Sequence, residues 1–238
     1  MKAQSVISDL QAHQNKEKGF FLQRFFKTGK GQYAEGDIFW GIKVPVQRTI
    51  AQKYKELPLS EVHTLITSQV HEHRLTGLLI LTYAFAKAPA EKQKEIFEFY
   101  FENRKWVNNW DLVDVTTPKI VGEYIFAHLS EQKKVFSLIT SPNIWERRIA
   151  LLATFPFIQK KDLTPLITLA PQVLKDSHDL IHKATGWMLR EAGKRDVKVL
   201  EKFLDQYSAI MPRTMLRYSL EKFSPETKQY YMKQKPTS

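Results

Sequence analysis

The sequence predicts an all-α chain of stacked helix pairs, and three observations carry that prediction. Apolar residues recur at three and four spacing over most of the 238 positions, as they do on amphipathic helices. Nine glycines and eleven prolines fall mostly between those stretches, where they act as punctuation. Strict apolar and polar alternation of the strand kind is scarce.

In chain order, helices are expected over about residues 2 to 14 and 17 to 27, followed by a glycine-bearing loop from Thr28 to Gly36. Pro45 suits the first position of a helix that continues through Arg48 to Lys55, because its fixed φ is already helical. Pro58 breaks the chain, and Ser60 with Glu61 recaps it. In Trp106-Val-Asn-Asn-Trp-Asp-Leu-Val-Asp114, Asn108 suits an N-cap that Asp111 answers three residues on. Trp110 and Asp114 then share a helix face one turn apart. Ser141 reads as a cap with Pro142 at the first helical position, placing Arg148 about two turns in. Ser177 opens a helix that carries Lys183, Gly186, Trp187 and Arg190 at three and four spacing. A mid-helix glycine costs about 1 kcal/mol relative to alanine, so Gly186 marks either a ligand or a packed helix close to the backbone. Helices continue to about residue 222, and a short disordered tail is expected from about 233.

Arg74, Asp111, Arg148, Lys183 and Arg217 each fall early in an expected helix, at intervals of 37, 37, 35 and 34 residues. That period fits helical-pair repeats, whose units bury each other's apolar faces. A solenoid spanning 1–238 as one domain follows, with an irregular helical bundle as the alternative. In the solenoid, equivalent first turns line up along one concave surface.

Composition narrows the function. The net charge of +11 and pI near 9.6 favour a polyanionic partner, nucleic acid ahead of an anionic membrane surface. Cysteine is absent, which excludes disulfides, thiolate metal sites and thiol nucleophiles and fits a reducing cytoplasm. The N-terminus lacks the apolar run of a signal peptide, and the most apolar window, Leu78 to Ala86, is too short to cross a bilayer. Phosphate-binding glycine loops and the Gly-x-Ser-x-Gly elbow do not occur. His71 and His73 are two apart and point to different sides of a helix. His178 and His182 lie four apart, but no third ligand accompanies them, so no metal is expected.

An indole beside a carboxylate, as at Trp110 and Asp114, is a pairing suited to a flat cation; the bland alternative is a core tryptophan and a helix-dipole aspartate. Four segments then point to a family: Phe39-Trp-Gly-Ile-Lys-Val-Pro45 with Arg48, Asn109-Trp-Asp-Leu-Val-Asp114, Asn143-Ile-Trp-Glu-Arg-Arg148, and Gly186-Trp-Met-Leu-Arg-Glu191. In this order and spacing they resemble the AlkD-type DNA alkylation repair glycosylases over almost the whole chain. The resemblance implies a solenoid of HEAT-like antiparallel helix pairs with duplex DNA on its concave face. It implies excision of N3- and N7-alkylated purines without metal, cofactor or a base-accepting pocket, by a protein acting as a monomer. By motif match, the site falls on Trp110, Asp114, Arg148 and Trp187. A tyrosine of the second helix in the best-known members is replaced here by Phe25, which keeps the ring and loses the hydroxyl. Phe25, Lys183 and Arg190 complete the expected DNA contacts. A non-catalytic DNA-binding repeat protein and a protein-interaction scaffold are the alternatives, since fold alone does not secure an activity.

Overall fold

The computed structural model describes residues 1–235, and among them the backbone is helical apart from loops and one isolated parallel bridge between Ile38 and Val70. The chain divides into two compact units, Met1–Tyr124 and Ile125–Ser238.

The first unit opens with α1 (Ala3–Gln11) and α2 (Lys16–Phe25), followed by α3 (Val44–Lys53), α4 (Leu59–Ile66), α5 (His71–Phe85), α6 (Ala90–Glu102) and α7 (Trp110–Thr116). Helix α5 is its centre: it packs against α3, α4 and α7, and it is buried on nearly all sides. A helix apolar around its whole circumference is stable only in such a place. Pro45 occupies the second helical position of α3, one later than expected, because Val44 already turns in behind Lys43. Pro58, not Ser60, stands at the N-cap of α4. Helix α7 ends before Pro118, whose missing N–H and ring crowd the α-helical ladder, and the chain continues in a wider π-type turn through Gly122.

The division between units falls within α8 (Glu123–Ala127). The second unit continues with α9 (Gln132–Phe136), α10 (Ile144–Leu152), α11 (Phe155–Gln159), α12 (Thr164–Leu169), α13 (Asp179–Gly193), α14 (Val197–Tyr207), α15 (Arg213–Ser219) and α16 (Pro225–Lys233). Its core is α13, which lies against α10, α14 and most extensively α15. Helix α16 extends past the expected end near residue 222, capped by Ser224, whose hydroxyl accepts from Thr227 N. Of the tail expected from about 233, Lys233 still belongs to α16, and residues 236–238 lie outside the described residues. Among the described residues no helix is long and apolar enough to cross a membrane.

The structure corrects the repeat register in two places, since Arg74 is the fourth residue of α5 and Asp111 falls early in α7. Arg148, Lys183 and Arg217 are each the fifth residue of their helix, and in α7 that position is held by Asp114; Asp111 is only the second.

Candidate functional site

In the first unit, α7 begins one residue later than the sequence suggested. Asn109, fully buried, is the N-cap, its Oδ1 accepting from Trp110 N at 2.8 Å. No capping box closes on Asn108. Asp111 is instead drawn away, its Oδ2 accepting from His71 Nε2 at 2.8 Å. Trp110 heads the helix, and Asp114 follows one turn on along the same face. Asp114 also lies within electrostatic reach of the buried Tyr100 hydroxyl, whose pKa is pushed up to about 12, by burial first and by that carboxylate in addition.

Trp110 is seated on an aromatic stack. Its ring lies 5.2 Å from Phe26 and nearly parallel, and Phe26 stacks in turn on Phe39 at 4.8 Å. Phe25, 55% exposed, meets Trp110 edge-on at 6.3 Å, so the structure brings these two expected residues together. Helix α2 brings these rings into place through Gly19: a Cβ there would sit 2.5 Å from the Phe39 carbonyl oxygen. Gly41 follows at φ +79°, where a Cβ would collide with the Asn15 carbonyl. The Trp-Gly-Ile segment is thereby free to aim three backbone N–H groups, those of Trp40, Gly41 and Ile42, at the Glu72 carboxylate at 2.7 to 3.2 Å.

Beneath the stack runs a buried polar network that sequence reasoning missed. Arg74 Nη2 donates to Asp37 Oδ2 at 2.5 Å, and the same oxygen faces His71 Nδ1 at 3.4 Å. Burial alone would lower the pKa of His71, but the Asp111 carboxylate and the bonds to Asp111 and Asp37 outweigh it and lift the value to about 9. His71 is therefore an imidazolium at neutral pH, stacked at 4.4 Å on Phe39. Its neighbour His73 goes the other way, lowered to about 4 by burial and by Arg74. The available signal was a run of four ionisable residues, His71 to Arg74, heading the helix that carries most of the chain's most apolar window.

In the second unit, α10 is capped by Asn143, whose Oδ1 accepts from Trp145 N at 2.8 Å. Ser141, expected as the cap, shapes the preceding turn instead, donating to Glu146 at 2.6 Å. Arg148 is one turn into α10, only 4% exposed, and donates to the Leu180 carbonyl. A phosphate contact from Arg148 therefore requires very close approach. Its neighbour Arg147 grips Asp176 with Nε at 2.7 Å and Nη2 at 3.3 Å.

Helix α13 starts at Asp179 with His178, not Ser177, as its cap, through Nδ1 accepting from Leu180 N. His182 Nε2 donates to the Asp176 carbonyl at 2.5 Å, so the two histidines serve separate backbone groups. Trp187 is half-buried, 6.3 Å from Phe155. Lys183 pairs with Asp179 at 2.6 Å along its own helix. Arg190 is held between Glu191 and Glu221, so it stands as an ion-pair partner within the unit.

Comparison with known proteins follows the same lines. A sequence family described as "DNA alkylation repair enzyme" matches residues 6–223. A solved structure titled a predicted DNA alkylation repair enzyme from Enterococcus faecalis superposes with a TM-score of 0.71 at 18% identity, covering 90% of this chain and 98% of its own. AlkD2 from Streptococcus mutans gives a TM-score of 0.56 at 16% identity, covering 88% and 99%. At such identities the structural likeness establishes the fold alone. No curated protein matches the sequence significantly.

Proposed function

The chain belongs to the family of DNA alkylation repair enzymes, and from that premise we propose that it is a monofunctional glycosylase. Its substrate is duplex DNA carrying cationic N3- and N7-alkylated purines, and it hydrolyses their N-glycosidic bond as a monomer on cytoplasmic, nucleoid DNA. The single observation that carries this reading is the pair at the head of α7, Trp110 seated on Phe26 with Asp114 one turn away.

The chemistry asks little of the protein. An alkylated purine already bears positive charge, so when the glycosidic bond breaks the electron pair returns to the base and neutralises it. No general acid, metal or cofactor is required. Positive charge appears instead on the sugar, as in other glycosyl transfers. Asp114 opposes that charge and accepts a proton as water adds to C1′. The Trp110 face receives the cationic nucleoside through its ring quadrupole, with Phe25 beside it. In the second unit, Arg148 and Lys183 are assigned to phosphates and Trp187 to apolar contact with the DNA backbone. Nothing in this account needs the base to enter a pocket.

The test is incubation of purified protein with methylated duplex DNA in the presence of a chelator, followed by chromatography of released bases. Free N3-methyladenine or N7-methylguanine is the expected product. Tight duplex binding without release favours a non-catalytic DNA-binding repeat protein, and absence of both favours a protein scaffold.

A further inference from the structure

Burying four ionisable side chains costs free energy that apolar residues would avoid, so the network under the aromatic stack calls for a reason. Arg74, His71 and Asp37 are 2%, 3% and 7% exposed, and Asp111 is 13% exposed. Capping accounts for only one oxygen of Asp111, Oδ1, which accepts from Leu112 N beside the Asn109 cap; it leaves Oδ2, Asp37 and Arg74 unexplained. A seven-residue helix is also too short to hold its own geometry, because isolated helices below about 12 residues are marginal in water. The orientation of α7 must come from anchors outside it.

Resting on the reading above, we propose that His71 is a positioning residue: bridging Asp37 and Asp111, it fixes the first turn of α7 and so aims Trp110 and Asp114. It reaches α7 by two routes. Directly, Nε2 donates to Asp111, the residue after Trp110. Indirectly, its ring lies 5.2 Å from Phe26, on which Trp110 rests, and 4.4 Å from Phe39, on which Phe26 is stacked in turn. Its own foundation is the head of α5, the most buried helix of the unit, where Arg74 donates to the same Asp37 oxygen that faces His71. The charged groups that face the imidazole are these three, two carboxylates and one guanidinium.

Two substitutions separate positioning from bulk stability. His71→Gln places an amide N–H near the site of Nε2 and preserves the link to Asp111, whereas His71→Asn places one near Nδ1 and loses it. Both remove the imidazolium. The Trp110 indole resonance should move in His71→Asn and stay near its wild-type position in His71→Gln. Release of N7-methylguanine in a single turnover should fall about tenfold or more in His71→Asn and less than about threefold in His71→Gln, with duplex affinity changed by less than about twofold in both. Equal losses in the two variants, tracking their thermal stability, would overturn the proposal, as would an unmoved Trp110 resonance in His71→Asn. If His71→Asn does not fold, Asp111→Ala breaks the same link from the α7 side and must displace the same resonance. The resonance is read without DNA. Wild-type protein that releases no base would therefore refute the glycosylase reading and leave the positioning test standing.

Discussion

Gly186 of α13 lies against the backbone of Met215 in α15: a Cβ built on the glycine would sit 2.5 Å from the Met215 carbonyl oxygen and 2.6 Å from Tyr218 Cβ. This settles the mid-helix glycine as a packing residue, not a port for a ligand. Gly186→Ala should gain about 1 kcal/mol of helix propensity and lose more to the clash. A net destabilisation of about 1 to 3 kcal/mol is expected from overpacking against backbone that cannot yield. Urea unfolding measures it, and a stabilised variant would mean that α15 shifts freely.

Stability should depend on pH through the two histidines at the head of α5, with opposite signs. The pKa of His71 is raised in the fold to about 9, so its contribution is complete below its unfolded value near 6.5 and is lost as pH rises through about 9. That of His73 is lowered to about 4, so its contribution is present above 6.5 and is lost as pH falls toward 4. Each limb has a limiting slope of about 1.4 kcal/mol per pH unit for one proton. These two groups alone place the maximum near pH 6.5. Chemical denaturation from pH 4 to 10 should show the falling alkaline limb in wild type and a flatter one in His71→Gln.

The helices and their order were legible because period and proline carry them locally, but every start for which a cap or first residue was named shifted in the structure. Starts went wrong by one or two residues where two cappers compete, Asn108 with Asn109 and Ser141 with Asn143. Tertiary contacts decide between them, and Asn109 wins by being buried. Trp110 and Asp114 were singled out by their spacing on one helix face and Phe25 by the resemblance, and the Phe25 ring lies 6.3 Å from that of Trp110. The polar network was illegible for a different reason. Asp37, His71 and Asp111 are 34 and 40 residues apart, and no periodicity links residues that meet only across packed helices. The same gap hid half of the role of Asp111, whose Oδ1 does accept from Leu112 N in the first turn while its Oδ2 serves His71.

Affinity for undamaged duplex should fall steeply with salt, and two cations of α13 should differ in their share. Lys183 is 40% exposed, and its pair with Asp179 one turn back along its own helix is a surface arrangement worth little and readily exchanged for a phosphate. Arg190 is 19% exposed between two carboxylates. Lys183→Ala should reduce the logarithmic salt slope by about 0.9, the value of one lost phosphate contact. Arg190→Ala should leave the slope nearly unchanged. Fluorescence anisotropy over a salt series reads both, and the reverse ranking would show that Arg190 leaves its glutamates to meet DNA.

Asp114 carries the sharpest prediction. If its carboxylate opposes charge that develops on the sugar, Asp114→Asn keeps the shape of the fifth residue of α7 and removes the term that lowers the barrier. Loss of one such preorganised group typically costs on the order of 10²- to 10³-fold in rate. Duplex affinity should hold or rise, because a negative charge facing phosphates has gone. Asp111→Asn is not a silent substitution, since it weakens the bond to His71, but its defect should follow the displacement of Trp110 and leave the Asp114 carboxylate in place. The two losses then differ in kind. Asp114→Asn should lose rate with an unmoved Trp110 resonance, and Asp111→Asn should lose rate only in proportion to the movement. The electrostatic account further requires cationic leaving groups to be excised in preference to neutral damaged bases, which need a proton that no side chain of α7 supplies. Single-turnover excision of N7-methylguanine decides the matter: near-wild-type rates in Asp114→Asn would end the mechanism, whatever the fate of Asp111.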